Sequence, residues 1–439
     1  MGGSVMAKIN HFISTYSECF DVLGAHYDLE SNPPKAVVSR FVHIFKDIND
    51  ERLQGMIDYP LVEIILITFL AVLGGASTWS EIESFGNAKS AWLKKFIKLK
   101  NGIPSHDTFR RVFSLIDTDE LQDATVSFLM QNLHAIKKHL PAVDHEFRHL
   151  CIDGKEQRGT GRKYGNDEKV RNLQTLHIYD NTNEICIYSE AIDEKTNEIP
   201  VAQKLLRGMA LKGCIVTFDA LHMQKETVSI ITERNGLYVG GLKGNQSGLL
   251  EEASAYFEHE KHLLMYKEKG NYKETKEKAH GKIETRQFYL VRPTKKNRTI
   301  MNEWPSIKAF IMCHKKIEDP KTGAFTEETR YYASSSNDIE LCSEAIREHW
   351  SVENRLHWQL DYSMREDENT TMDKKAFHNL SLINKMVLTL CKLMKDVGKK
   401  KSVRVQRKVF GWNFEGTLAL LLYVFDEDAI EAALRSVKA

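Results

Sequence analysis

The sequence predicts an α/β protein, a mixed sheet with helices on its faces, preceded by an all-helical region. Three observations carry this. Residues 36–140 place apolar side chains at helical spacing almost throughout. From about residue 148 the pattern changes to short runs of β-branched and aromatic residues. The first three of these runs follow one another at hairpin distance, whereas later ones are separated by helical stretches. That order gives antiparallel pairs first and helical crossovers afterwards.

Bulk properties set the outer limits. A chain of 439 residues has room for two or three domains. Its 42% hydrophobic and 28% charged residues are ordinary for a soluble globular protein. A net charge of +1 means that any nucleic-acid surface must come from local basic clusters. The seven cysteines form no CxxC pair, which argues against structural zinc and for reduced thiols in the cytoplasm. The N-terminal MGGSVMAKIN shows no apolar leader. The longest apolar stretch, residues 61–76, contains Glu63 and is shorter than the roughly 20 residues of a membrane span. It predicts a buried helix and no membrane partner.

The elements follow in order. Residues 1–35 form an extension ending at Asn32-Pro33-Pro34. Within the helical region, Ser105 is placed to cap a helix and Asp107 to complement its dipole. Phe109, Val112, Phe113 and Ile116 then make an apolar stripe, leaving Arg110 and Arg111 outside. Such a helix fits a DNA groove, and equally fits packing on its neighbours. Strands are expected at 149–153, 173–180 and 184–192, with a turn at Asn181-Thr182-Asn183. A helix at 197–211, a strand at 214–220, a second helix and a strand at 237–243 come next. Residues 246–283 are polar and lysine-rich, and three further strands are expected at 285–292, 307–315 and 328–336. The stretches 339–361 and 373–396 read as helices, and GKKKSVRVQRK at 398–408 carries six Lys or Arg residues.

Three carboxylates stand out. Asp153 is expected to end the first strand and Asp219 the fourth, where side chains project into the crevice that binds ligands in open α/β sheets. Taken alone, a turn residue at 153 and a helix cap at 219 explain them as well. Glu353 is different: with Ile346, Trp350, His357 and Leu360 it lies on one face of a predicted helix, in a slot where an apolar residue is expected. A buried carboxylate needs a partner or a cation; His349, His357 and Arg355 are the candidate partners. Three converging carboxylates make an oxygen-rich site that suits Mg²⁺ or Mn²⁺ rather than zinc, and two such ions about 4 Å apart support phosphodiester chemistry.

At these residues the chain resembles the H-repeat-associated insertion-sequence transposases. These are a bacterial family of the DDE transposase superfamily with an RNase H-like catalytic domain. The blocks that carry the resemblance are YPLVEIILITFLAVLGGASTWSEIESF and GIPSHDTFRRVF in the helical part. In the second part they are IDGKEQRG, EKTNEIP, IVTFDALHMQ, GLKGNQ, HGKIETR, YYASS and REHWSVENRLHWQLDYSMREDE, with Gly411-Trp412 near the end. The match runs over about residues 38–425. It implies a helical transposase-associated domain at 36–140, an RNase H-like domain at 146–396 with a β-rich insertion at about 247–337, and a basic C-terminal segment with helices at 397–439. It implies Asp153, Asp219 and Glu353 as catalytic residues holding divalent metal, two ions in all. The reaction implied is cleavage at insertion-sequence ends, followed by attack of the 3′-hydroxyl on target DNA, by two protomers on DNA. A related group shows Tyr, Arg and Lys at set distances from its glutamate; here those positions hold Ile346, His349 and Leu360.

The expected DNA contacts are Lys155, Arg158, Arg162 and Lys163 after the first strand, with Lys169 and Arg171 further along it. Lys282 and Arg286 near HGKIETR, and the tail from Lys399 to Lys408, complete the basic set. His349, His357, Trp350 and Trp358 are candidates to stack on or touch a displaced base, although at least one of the tryptophans is expected in the core. Asn354 and Asp367 are expected to support the acidic site from behind. A metal-dependent nuclease with the same triad, or a non-catalytic DNA-binding protein, are the alternatives.

Overall fold

The computed structural model describes residues 41–412, apart from 96, 138–146, 162–170, 193–196, 280, 294–297 and 397–401. The helical part contains α1 (Leu61–Leu73), α2 (Trp79–Ala88), α3 (His106–Leu115) and α4 (Thr118–Lys137). The apolar stretch is the buried helix α1. Its Glu63 is buried and accepts from the Lys98 backbone N–H at 3.2 Å, so the carboxylate is satisfied where it lies. No described helix is long and apolar enough to cross a membrane. Thr78 and Glu81 form a reciprocal cap on α2. Ser105 caps α3 by accepting from the Thr108 N–H, and Phe109, Val112 and Phe113 are buried while Arg111 is exposed.

The second part runs β1 (Arg148–Gln157), β2 (Leu173–Asp180), β3 (Ile185–Ile192), α5 (Glu198–Gly208), β4 (Cys214–Phe218), α6 (Lys225–Glu233) and β5 (Leu237–Leu242). It continues through α7 (Ser247–Ala255), α8 (Glu260–Glu268), β6 (Tyr272–Ala279), β7 (Lys282–Val291), β8 (Ala309–Glu318) and β9 (Phe325–Ser334). It closes with α9 (Ile339–His349), α10 (Trp358–Tyr362), α11 (Lys374–Asp396) and α12 (Val403–Trp412). The strands form one sheet in the order β3-β2-β1-β4-β5-β9-β8-β7-β6. β1, β4 and β5 are parallel neighbours and the remaining pairs are antiparallel. β9 pairs with β5, so the strands after residue 270 extend the first five and leave β5 no free edge.

Three sequence expectations change. β1 does not end at Asp153 but continues to Gln157, because its second half still pairs with β2 after β4 has stopped. A strand, β6, lies inside the polar stretch 246–283; as an edge strand paired only with β7, it tolerates charge on every side. The helix expected at 339–361 is broken: α9 stops at His349, and Glu353–His357 is a π-helical turn before α10.

The helical part and the sheet share one core. α11 packs on α1, α3 and α4 as well as on β3. Asn379 on α11 donates to the carbonyls of Phe113 (2.8 Å) and Ile116 (3.0 Å) at the end of α3, and the Trp79 Nε1–H donates to Thr371 Oγ1 at 2.8 Å. Arg407, on the basic tail expected to touch DNA, is buried on α12. It donates to the carbonyls of Val72 (3.0 Å), Ala76 (2.8 Å) and Ser363. Lys399 lies outside the described residues, whereas Lys408 is exposed.

Candidate active site

The last parallel partners of β1 and β4 are Ile152 and Phe218. Asp153 and Asp219 come next in each chain, so the register carries both carboxylates out of adjacent strands at one level, at the end of the parallel core. The flanking residues, Leu150, Cys151, Ile152, Val216 and Phe218, are fully buried and fix both backbones. Asp219 is exposed, and its Oδ1 accepts from the Leu221 N–H at 2.9 Å. It therefore caps the short turn Ala220–His222 through that oxygen. Asp153 is 25% exposed and accepts from the Gly154 N–H at 3.0 Å.

Glu353 opens the π-helical turn and is exposed. The expectation that it fills an apolar slot does not hold. The stripe facing the core runs through Val352, Leu356 and Leu360, because the break at Trp350 and the wide turn shift the helical phase. Glu353 is thereby exposed instead of facing the core, and π-turns recur at functional sites. Burial pushes the Asp153 carboxyl up to about 7, and the charges of Glu353 and then Asp219 add to that push, with a smaller share from Glu198. Like charges gathered around a half-buried carboxylate are what a bound cation relieves. The donors are all oxygens, which fits Mg²⁺ or Mn²⁺. Among the described residues, no three His, Cys, Asp or Glu side chains already stand close enough to enclose an ion.

Two histidines stand behind Asp153. His357 Nδ1 is 3.6 Å from Asp153 Oδ2, and its Nε2 is 2.9 Å from His177 Nδ1 on β2. His177 faces Asp153 in the β1–β2 register. Burial pushes His357 down to about 3 and His177 well below its usual value, so both rings are neutral and one donates to the other. Lys155 is buried with its ammonium 2.5 Å from Asp361 Oδ1. A phosphate contact by Lys155 would have to replace that partner. His349 Nδ1 meets Thr217 Oγ1 at 3.0 Å, and burial pushes it down to about 4.

The other expected residues are spread out. Arg158 is exposed just past β1, and Arg171 is exposed before β2. Arg162, Lys163 and Lys169 lie outside the described residues. Arg110 and Arg111 sit on α3, where Arg110 pairs with Asp107 at 3.4 Å. Lys282 is exposed at the start of β7, while Arg286 is engaged by Glu284 and, at 3.8 Å, by Glu277. Trp350 and Trp358 are 37% and 51% exposed, against the expectation that one would be core. The Arg330 guanidinium lies 4.3 Å from the Trp350 ring centre, and Trp358 stacks on Tyr362. Asn354 is exposed beside Glu353. Asp367 keeps a buried, unpartnered Oδ1, whereas its neighbour Glu366 is fully buried and accepts from Ser381 (2.7 Å) and Asn384 (3.0 Å). Sequence reasoning missed His177, Glu198, His222 and Asp361, since each is a single polar residue with no spacing that marks it.

Comparison with known proteins adds the family. The model described as transposase DDE domain matches residues 144–390, more than half of the chain, and one described as DDE_Tnp_1-associated matches residues 42–129. YncI of Escherichia coli O157:H7, which bears the name of a transposase, is 33% identical over 371 residues, 83% of this chain and 90% of that one. YhhI of Escherichia coli strain K12, named as an H repeat-associated transposase, is 30% identical over 338 residues, 73% of this chain and 82% of its own. Among solved structures, piggyBac transposase in a synaptic complex with hairpin DNA covers 93% of this chain and 83% of its own, at 12% identity and a TM-score of 0.39.

Proposed function

Because the chain belongs to the H-repeat-associated transposases that carry a DDE domain, we propose that it cuts DNA at the ends of an insertion sequence and joins the freed ends to target DNA. The observation that carries this reading is the register of β1 and β4. It brings Asp153 and Asp219 side by side at the end of the parallel strands, with the charge of Glu353 bearing on Asp153. The strand order β3-β2-β1-β4-β5, with β1, β4 and β5 parallel, supports an RNase H-like catalytic core. The strands β6 to β9 are then the β-rich insertion, and residues 36–140 the associated helical domain.

In this reading Asp153, Asp219 and Glu353 hold two Mg²⁺ or Mn²⁺ ions. Bound there, the metal supplies charge to activate an attacking oxygen and to stabilise the one that leaves. Water attacks the phosphorus at the element's end, breaking the P–O3′ bond and leaving a 3′-hydroxyl and a 5′-phosphate. The 3′-hydroxyl then attacks a target phosphodiester, forming one P–O bond as another breaks, with no change in their number. The chain's own part is positioning. His357 and His177 buttress Asp153, Arg158 and the segment beyond it contact phosphates, and Trp350 with Arg330 offers a face for a base. Two protomers hold two ends in the bacterial cytoplasm.

The test uses the full chain, Mg²⁺ and DNA carrying the element's own ends. Nicked and then joined products are expected, and Asp153→Asn, Asp219→Asn and Glu353→Gln each lower both by about a thousandfold or more. Nicking without joining of a pre-cleaved end would identify a nuclease instead. Full activity in the variants, or DNA binding with no cleavage by the natural chain, would overturn the catalytic reading.

A further inference from the structure

We propose that Glu198, at the start of α5, is a fourth carboxylate of the metal site and sets the affinity of its second ion. This rests on the reading that Asp153, Asp219 and Glu353 hold divalent metal. The first observation is a matter of space. A Cβ placed on Gly154 would lie 2.4 Å from Glu198 Oε1, and 2.7 Å from both Cδ and Oε2. Gly154 does not have the positive φ that would call for glycine on conformational grounds. The Glu198 carboxylate occupies the place a side chain at Gly154 would take, on the face of β1 opposite the Asp153 side chain and beside the edge that β4 leaves open beyond Phe218.

The second observation is how that carboxylate is held. Glu198 Oε2 is 3.3 Å from His222 Nε2, and His222 is 1% exposed, three residues past Asp219. The other ring nitrogen of His222 is buried with no partner. One imidazole thus ties the carboxylate to the segment that carries Asp219, as supporting residues orient metal ligands elsewhere. Asn197 caps α5 through the Ile199 N–H at 3.0 Å, and a carboxylate in the first helical turn is stabilised as the anion. The helix start favours an acidic residue at this position. It does not explain why the carboxylate lies over the strand beside Asp153. Four carboxylates also balance two divalent cations, whereas three leave an excess of positive charge.

Mn²⁺ binding to the full chain, followed by titration calorimetry, tests this against Glu198→Gln. The glutamine keeps the shape over Gly154 and the contact with His222 but removes the charge. The natural chain is expected to take up two ions, and Glu198→Gln to lose one or to bind it about 10- to 100-fold more weakly, with an unchanged melting midpoint in the absence of metal. Gly154→Ala, which displaces the carboxylate without removing it, should shift binding in the same direction. If Glu198→Gln binds two Mn²⁺ ions as tightly as the natural chain while Asp153→Asn does not, Glu198 is no ligand and the triad stands. If the natural chain takes up no Mn²⁺, or Asp153→Asn binds it unchanged, the metal reading fails and this inference with it.

Discussion

A free imidazole takes up a proton near pH 6.5. His378, buried on α11 with Nε2 3.1 Å from Ser189 Oγ, does so only at about 3, because burial disfavours the charged ring and Lys385 adds repulsion. The unfolded chain therefore binds a proton there that the folded chain refuses. The stability this residue contributes is complete above pH 6.5 and is lost as the pH falls towards 3. Replacing it should flatten the acid limb of the stability curve. Between pH 7 and pH 5 the urea-unfolding free energy of His378→Gln should fall by about 2 kcal/mol less than that of the natural chain. Equal losses in both would show that His378 is not held neutral. The same scale shows why single polar residues escape sequence reading. Glu198, His222 and Asp361 gain their meaning only from what faces them, whereas Asp153 and Asp219 are marked by the apolar runs that precede them.

The elements divide by whether one periodicity holds throughout. Ser105 and the stripe from Phe109 to Phe113 follow a plain helical repeat, and α3 forms as expected. The apolar run Ile215, Val216 and Phe218 is legible for the same reason, since β4 is buried along its whole length. β6, with the sequence YKETKEKA, has no apolar face to betray it. The second half of β1 was hidden by Gly154 and the polar residues after it. A helical wheel assumes 3.6 residues per turn, so it misplaced Glu353, whose turn is wider. If the π-turn exists to aim Glu353, shortening it should harm the chemistry more than the fold. Deleting Asn354 rotates one side of the turn by about 100° relative to the other. We expect DNA cleavage to fall by about a hundredfold or more, with the far-ultraviolet dichroism retained. Unchanged cleavage would mean that the phase of this helix is immaterial.

Across the whole molecule the two parts named by the family models are not separable bodies. Arg407 on α12 joins the carbonyls of Val72, at the end of α1, and Ala76, just beyond it, to that of Ser363 beyond α10. Burial pushes its guanidinium down to about 10, which is still charged at neutral pH. Arg407→Met would remove three charge-assisted hydrogen bonds and leave the carbonyls without these donors. A loss of about 3 kcal/mol is expected in urea unfolding of the full chain, with a single transition for near-ultraviolet signals from both parts. Two separate transitions would show that the shared core is weaker than its contacts imply. α11 belongs to the same tie. It comes late in the chain, at residues 374–396, yet it covers α1, α3 and α4. During synthesis at roughly 5–20 residues per second, the first helices wait tens of seconds for the segment that buries them. A message truncated before codon 374 would yield a polypeptide whose greasy inner faces stay open to chaperones and proteases, so a broken copy of this gene would be cleared from the cell rather than persist as an idle helical fragment.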